Sequence, residues 1–394
     1  MTKIVFLLSS VFSQKDKERF GVEILQQNGF EVEVWDFTPF LNPWRWGISE
    51  PFDKSQFEAY RVLLTKKEAL GALSGLTKDC LIICVVDYSY ETFFLYRKIS
   101  DLRLPYCLIA YNFPTFDMKS GRSNIFKRLA NLSFEKLRVH LFYKIPFQWL
   151  GVKPAKIVLM LGGGDTLTRC TIDRTTEIIR SHYFDYDLYL QEIQKPLETD
   201  DHTAVFLDNY IPFHPDWCGP SHVEPEEYYS ILCKFFDLLE NKYGVRVVIA
   251  AHPRSAYEDL PDYFNGRLVI KGKTAELVRR SKFAIVHYSA SVSFAALFNK
   301  PIIFVTTEKL HQTQDAKIID FMAGLFNKSV INLNGDLQVD TDREFTVDDT
   351  AYKKYIDAYI KPKGTSDLPI WQVFANNLKN VKQSERAQCC GKPI

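Results

Sequence analysis

At 394 residues, 46% hydrophobic and 25% charged, the chain is too long for one ordinary core and has the composition of a soluble protein of two globular domains. Lys plus Arg (49) nearly cancels Asp plus Glu (48), which removes any whole-molecule electrostatic case for binding nucleic acid. No apolar run approaches the roughly 20 residues that span a bilayer, and the opening MTKIVFLLSS is too brief for a signal peptide. The eight cysteines are scattered without a CxxC pair, as expected of structural thiols in a reducing cytoplasm.

Lys3–Ser9 reads as a first strand, Arg19–Gln27 as a helix closed by Asn28-Gly29, and Glu31–Phe37 as an alternating second strand. The turn after the first strand, SSVFSQKD, lacks the glycines that let a backbone approach a pyrophosphate, so a dinucleotide site is not expected there. An aromatic loop over Thr38–Glu50 follows, then a helix over Gln56–Leu73, a strand at Cys80–Val86, a helix at Glu91–Leu102 and a strand at Tyr106–Tyr111. From Lys119 to Lys153 eight cations meet a single acid, Glu135, and interleaved Phe and Leu predict basic amphipathic helices suited to peripheral contact with a membrane or an anionic acceptor. The strand Ala155–Leu161 ends in Gly162-Gly163-Gly164-Asp165, where glycines allow close approach to a ligand. Asp185–Gln191 (DYDLYLQ) reads as a strand, and the polar run Glu192–His202 as the linker between an acceptor-binding domain over 1–195 and a second domain over 203–394.

The second domain opens with Ala204–Leu207 and the cluster Asp208-Asn209-Tyr210-Ile211-Pro212-Phe213-His214-Pro215-Asp216. A patterned helix over Glu226–Lys242 leads to Val245–Thr307, around which the chain is organised. Three β-branched runs, Val245–Ala250, Phe283–Val286 and Ile302–Val305, alternate there with helices, the sign of a parallel sheet. Polar residues follow each run: His252-Pro253-Arg254 the first, Ser289, Ser291 and Ser293 the second, and Thr306-Thr307 the third. In an open parallel sheet such strand ends border the ligand crevice. The proline holds His252 at its edge, serines at a helix start suit a phosphate, and Lys271-Gly272 after the strand Arg267–Ile270 offers a cation and close backbone. Helices at Ala316–Phe326, Thr350–Ile360 and Ile370–Val381 and a strand at Ser329–Leu333 complete the chain, the last helix expected to cross back over the first domain.

The His-Pro pair, the serine turn and the Lys-Pro strand after it resemble bacterial glycosyltransferases of the GT-B fold that use CMP-activated nonulosonic or ulosonic acids, the sialyltransferases and polysialyltransferases among them. That resemblance implies an α/β fold of two Rossmann-like domains with parallel sheets facing a central cleft. It implies His252 and Pro253 at CMP, with Ser289, Ser291 and Ser293 at its phosphate. The partners it implies are a nucleotide sugar and a glycan or lipid-linked glycan acceptor, in surface polysaccharide, capsule or lipopolysaccharide synthesis on the cytoplasmic side of a membrane. Those enzymes carry their general base in an acidic Asp/Glu-Asp/Glu-Gly motif, and no such triplet occurs here. Asp208 is the candidate base by position and Asp165 its competitor, with His214, Asp216, Gly163 and Gly164 placed for sugar or acceptor. No zinc spacing or strand-end DxD is present, so a cofactor-free, metal-independent inverting transfer is expected. The alternatives are a UDP- or GDP-sugar transferase or epimerase, and a non-catalytic scaffold of the same fold.

Overall fold

The structure, a computed structural model, describes residues 1–48, 52–111, 114, 134–163, 171–196, 202–214, 223–335 and 340–390. They form two compact units: one holds the described residues up to Tyr111, from Phe134 to His182 and from Gly364 on, the other Pro114 and Tyr183–Lys363. The boundary thus falls ahead of the expected linker. The segment read as the strand DYDLYLQ is instead a helix, Phe184–Ile193, belonging to the second unit. Tyr183 and Tyr186 pack there against the core cluster that contains Val292, Phe326 and Tyr355, and Tyr183 donates its amide to the Ile360 carbonyl at 2.7 Å.

The first unit is built on a seven-stranded parallel sheet: β1 Lys3–Leu8, β2 Glu31–Asp36, β3 Tyr60–Val62, β4 Cys80–Cys84, β5 Tyr106–Tyr111, β6 Ile157–Leu161 and β7 Glu177–Ser181. Its spatial order is β3-β2-β1-β4-β5-β6-β7. β4 and β6 are buried at every residue, as unbroken apolar runs must be when helices cover both faces. The expected helix over Gln56–Leu73 is interrupted: Tyr60–Val62 pairs with β2 as an edge strand and only Lys66–Ser74 is helical. The aromatic loop is two short helices, Thr38–Leu41 and Pro43–Ile48. The helix expected over Arg19–Gln27 is broken at Gly21, whose φ is +54°; a Cβ there would overlap the Trp371 ring. Trp371, at the start of the helix Ile370–Cys390, lies edge-on to Phe6 at 5.3 Å and donates its indole N–H to the Arg19 carbonyl at 2.7 Å. This aromatic lock ties the end of the chain to the first sheet.

The second unit has six parallel strands: β8 Thr203–Leu207, β9 Arg246–Ala251, β10 Val269–Lys271, β11 Ala284–Val286, β12 Ile302–Thr306 and β13 Val330–Asn332. They are ordered β10-β9-β8-β11-β12-β13. This is the doubly wound 3-2-1-4-5-6 arrangement, in which the connections reverse direction between the first and fourth strands. The helix Pro225–Tyr243 starts with Pro225, Glu226 and Glu227 and ends at Gly244 with φ +63°, so both ends carry the residues that suit them. It buries Tyr228, Tyr229, Leu232, Phe235, Phe236 and Leu239 along one face, each of the large side chains contributing about 1.5–3 kcal/mol.

Candidate functional site

The reversal point of the second sheet lies between β8 and β11, so the loops leaving these two strands flank its crevice. Asp208 leaves β8 and His287-Tyr288-Ser289 leaves β11, while His252 leaves β9, the neighbour of β8. The polar clusters read from the sequence therefore stand at the ends of adjacent strands.

Asp208 is only 3% exposed. One carboxylate oxygen accepts the Tyr210 amide at 2.8 Å; the other accepts the His252 amide at 3.3 Å and the Tyr257 hydroxyl at 3.0 Å. Burial pushes its carboxyl up to about 6, against these hydrogen bonds, which favour the ionised form. With both oxygens engaged inward, the side chain clasps the loops after β8 and β9 together. The first unit contains the same clasp. Asp36, fully buried at the end of β2, accepts the Thr38 amide at 2.8 Å, the Phe12 amide at 3.4 Å and the Tyr60 hydroxyl at 2.7 Å. An aspartate that takes the amide two residues on, an amide from a neighbouring loop and a tyrosine hydroxyl thus recurs in both units.

In the second unit that clasp fixes His252. Its ring Nδ1 accepts the Arg254 amide at 3.2 Å, so in the neutral ring the proton sits on Nε2 and that edge is a donor. The His214 ring, carried past the short turn Ile211–Phe213, stands edge-on to it with centroids 4.8 Å apart. Pro253 and Arg254 are exposed beside the pair.

The other predicted residues divide. Ser289 and Ser291 are half-buried in the turn after β11, where the Ser289 hydroxyl accepts the Ser291 amide at 3.3 Å. The helix that follows, Val292–Leu297, is short, and the amides of Val292, Ser293 and Phe294 go to the carbonyls of Ser289, Ala290 and Ser291 at 3.1–3.2 Å. The turn therefore offers hydroxyls rather than the open helix-end amides that the sequence suggested. Ser293 is fully buried and donates to Asp185 of the helix Phe184–Ile193, which takes it away from a phosphate. Lys271 reaches the Ser255 carbonyl and, at 3.1 Å, Glu258, closing the loop after His252. Gly272 is exposed with φ +85°. Thr307 caps the helix Glu308–His311 by accepting the Leu310 amide at 3.3 Å. Gly163 belongs to the first unit, and Asp165, Gly164 and Asp216 lie outside the described residues.

His287 carries no role in the sequence reading, yet it is fully buried at the reversal point. Its Nδ1 donates to the Val305 carbonyl at 2.7 Å, which leaves Nε2 to accept the Tyr228 hydroxyl at 2.8 Å. Burial lowers its pKa to about 4, so it is neutral and braces β11 against β12. The only sequence signal was its place directly after a strand. Among the described residues no group of three His, Cys, Asp or Glu side chains is arranged to hold a metal ion.

No protein-family model and no curated protein matches the chain. Among solved structures, a variant of the wall teichoic acid polymerase TagF aligns with 97% of this chain and 90% of its own at a TM-score of 0.52 and 12% identity. The UDP-GlcNAc 2-epimerase from Methanocaldococcus jannaschii aligns over 97% and 99% at 0.46 and 8%, and the glycosyltransferase SnogD from Streptomyces nogalater over 96% and 99% at 0.49 and 12%. The first of these likenesses and the two sheet orders together give the fold: two Rossmann-like α/β units in one chain, of the GT-B type.

Proposed function

We propose that the chain is a glycosyltransferase that moves an acidic sugar from a CMP-activated donor to a glycan acceptor, with inversion and without a metal ion. The observation that carries this reading is the pairing of His214 and His252 at the crevice of the second sheet, with the Asp208 clasp holding the His252 backbone. In this reading the His252 Nε2–H donates to the phosphate of the donor, and the hydroxyls of Ser289 and Ser291 add to it. The acceptor hydroxyl oxygen attacks the anomeric carbon, the bond from that carbon to the phosphate oxygen breaks, and CMP departs with its electron pair. The hydroxyl proton passes to the His214 imidazole. Asp208 is a positioning residue: with 3% exposure and both oxygens occupied it holds the loop and does not meet the acceptor.

A single-phosphate leaving group suits the serine turn, because residues 287–293 contain no Lys or Arg and Lys271 is engaged with Glu258. The second reading is a UDP- or GDP-sugar transferase or epimerase, and the exposed Arg254 beside His252 is what favours it, as a cation for a second phosphate. Release of free nucleotide from CMP-, UDP- and GDP-linked sugars by the purified protein tests both. Turnover of a CMP-sugar that falls about a hundredfold or more in both His214→Ala and His252→Ala, with folding intact, supports the proposal. Turnover of UDP- or GDP-sugars alone supports the second reading. No turnover with any of them, or full turnover in both variants, contradicts the assignment.

A further inference from the structure

In the first unit, the last turn of the helix Phe134–Phe142 and the segment from it to β6 hold large apolar side chains in solvent. Trp149 is 84% exposed, Leu141 50% and Ile145 41%. Their exposure belongs to a backbone fixed along its length. Phe142 is buried against Tyr88, Tyr90 and Phe93 with ring centroids 5.3–5.7 Å away. Successive turns bond Lys144 to Leu141 at 3.0 Å and Trp149 to Pro146 at 2.9 Å. Arg97 donates to the Leu150 carbonyl at 2.9 Å, Ser100 accepts the Lys153 amide at 2.8 Å, and the Tyr106 hydroxyl donates to the Lys153 carbonyl at 2.6 Å. Val152 between them is buried.

Charge identifies what would cover the exposed side chains. From Arg138 to Lys156 the sequence contains Arg138, Lys144, Lys153 and Lys156 and not one Asp or Glu. Arg138 stands over the half-exposed Tyr90 ring at 5.3 Å and donates to its hydroxyl, which places this cation at the same end of the segment as Leu141. A tryptophan, a leucine and an isoleucine projecting from a cationic segment that itself contains no acid match an anionic lipid surface, the neighbouring carboxylate of Asp101 being ion-paired with Arg97: indole at the headgroup level, aliphatic side chains at the acyl boundary, ammonium and guanidinium groups against phosphates. We propose that Arg138–Lys153 is a membrane-docking apex that holds the protein on anionic lipid. The contact is peripheral, since among the described residues no helix is long and apolar enough to cross a membrane.

The test is co-sedimentation of the full chain with phosphatidylcholine vesicles, with and without phosphatidylglycerol. The expected result is pelleting with the anionic vesicles that weakens as salt is raised, falls about tenfold in affinity in Trp149→Ala and about fivefold or more in Lys144→Glu. Both positions are exposed, so the melting temperature of each variant stays at the wild-type value. Pelleting that is absent with anionic vesicles, equal with neutral ones, or undiminished in Trp149→Ala overturns the proposal. So does a wild-type dimer in solution that Trp149→Ala dissociates, which would make the apex an interface between protein chains. Nucleotide-sugar turnover measured without vesicles is independent of all these outcomes, so failure here leaves the transferase reading standing, and the reverse.

Discussion

Replacing Asp208 by Asn removes a titration, and whatever else it changes is the same at every pH, which makes its effect readable as a function of pH. Its carboxyl lies at about 6 in the folded chain against an ordinary 3.8, because burial outweighs the three hydrogen bonds it accepts. A folded pKa above the unfolded one means that the native state holds the proton longer. The stability this group contributes is complete below about pH 4 and is lost as pH rises through about 6. At about 1.4 kcal/mol per pH unit, the loss is on the order of 3 kcal/mol. In Asp208→Asn that loss is gone, although the new amide N–H faces the donors of His252 and Tyr257 and costs about 1–3 kcal/mol at every pH. Urea unfolding followed by tryptophan fluorescence, on both proteins from about pH 4 to 7, gives the difference in stability at each pH. The variant should gain on the wild type by on the order of 3 kcal/mol across that range. Parallel curves would refute the argument that Asp208 is a desolvated clasp.

Other substitutions probe the same architecture. His287→Phe leaves the Val305 carbonyl and the Tyr228 hydroxyl without their partner and should cost about 2–5 kcal/mol by denaturant melts. Because the folded pKa of His287 lies at about 4, below its unfolded value, wild-type stability from this group falls as pH drops from about 6.5 toward 4, and His287→Phe should lose that slope. Gly21→Ala forces a side chain into the Trp371 ring at positive φ and should cost about 2–4 kcal/mol, seen as a lowered melting temperature with native-like tryptophan exposure lost. Ser293→Ala breaks the buried bond to Asp185 and should lower stability while leaving nucleotide affinity unchanged; Ser289→Ala should do the opposite in a calorimetric titration with CMP.

Much of the fold is legible because parallel strands buried on both faces write themselves as apolar runs. Cys80–Cys84, Ile157–Leu161, Thr203–Leu207 and Ile302–Thr306 are all read to within a residue or two at each end. The edge strands of the second sheet, Val269–Lys271 and Val330–Asn332, are read nearly as well, but those of the first are not. Tyr60–Val62 and Glu177–Ser181 bury one and two residues, too few to leave an alternation, and Tyr60 was absorbed into a helical pattern. DYDLYLQ alternates like a strand, but tertiary packing of Tyr186 on the second core makes it helical. For the candidate site, the sequence places Asp208, His252 and Ser289 after strands, where the structure also has them, and misjudges their partners. That Asp208 meets Tyr257, and that Ser293 meets Asp185 from a segment 108 residues earlier, are facts of packing with no local signal. The His214–His252 pair joins two clusters that the sequence presents separately.

The central claim is that the second sheet holds a CMP-linked donor against His252, and the thermal stability of the purified chain with CMP, UMP, UDP or GDP tests it most directly. A ligand that binds only the native state at 100 times its dissociation constant adds about 2.7 kcal/mol, a shift of several degrees. The account predicts a rise with CMP that disappears in His252→Ala. A rise with UDP or GDP and none with CMP, or a rise with CMP that His252→Ala leaves intact, would contradict it.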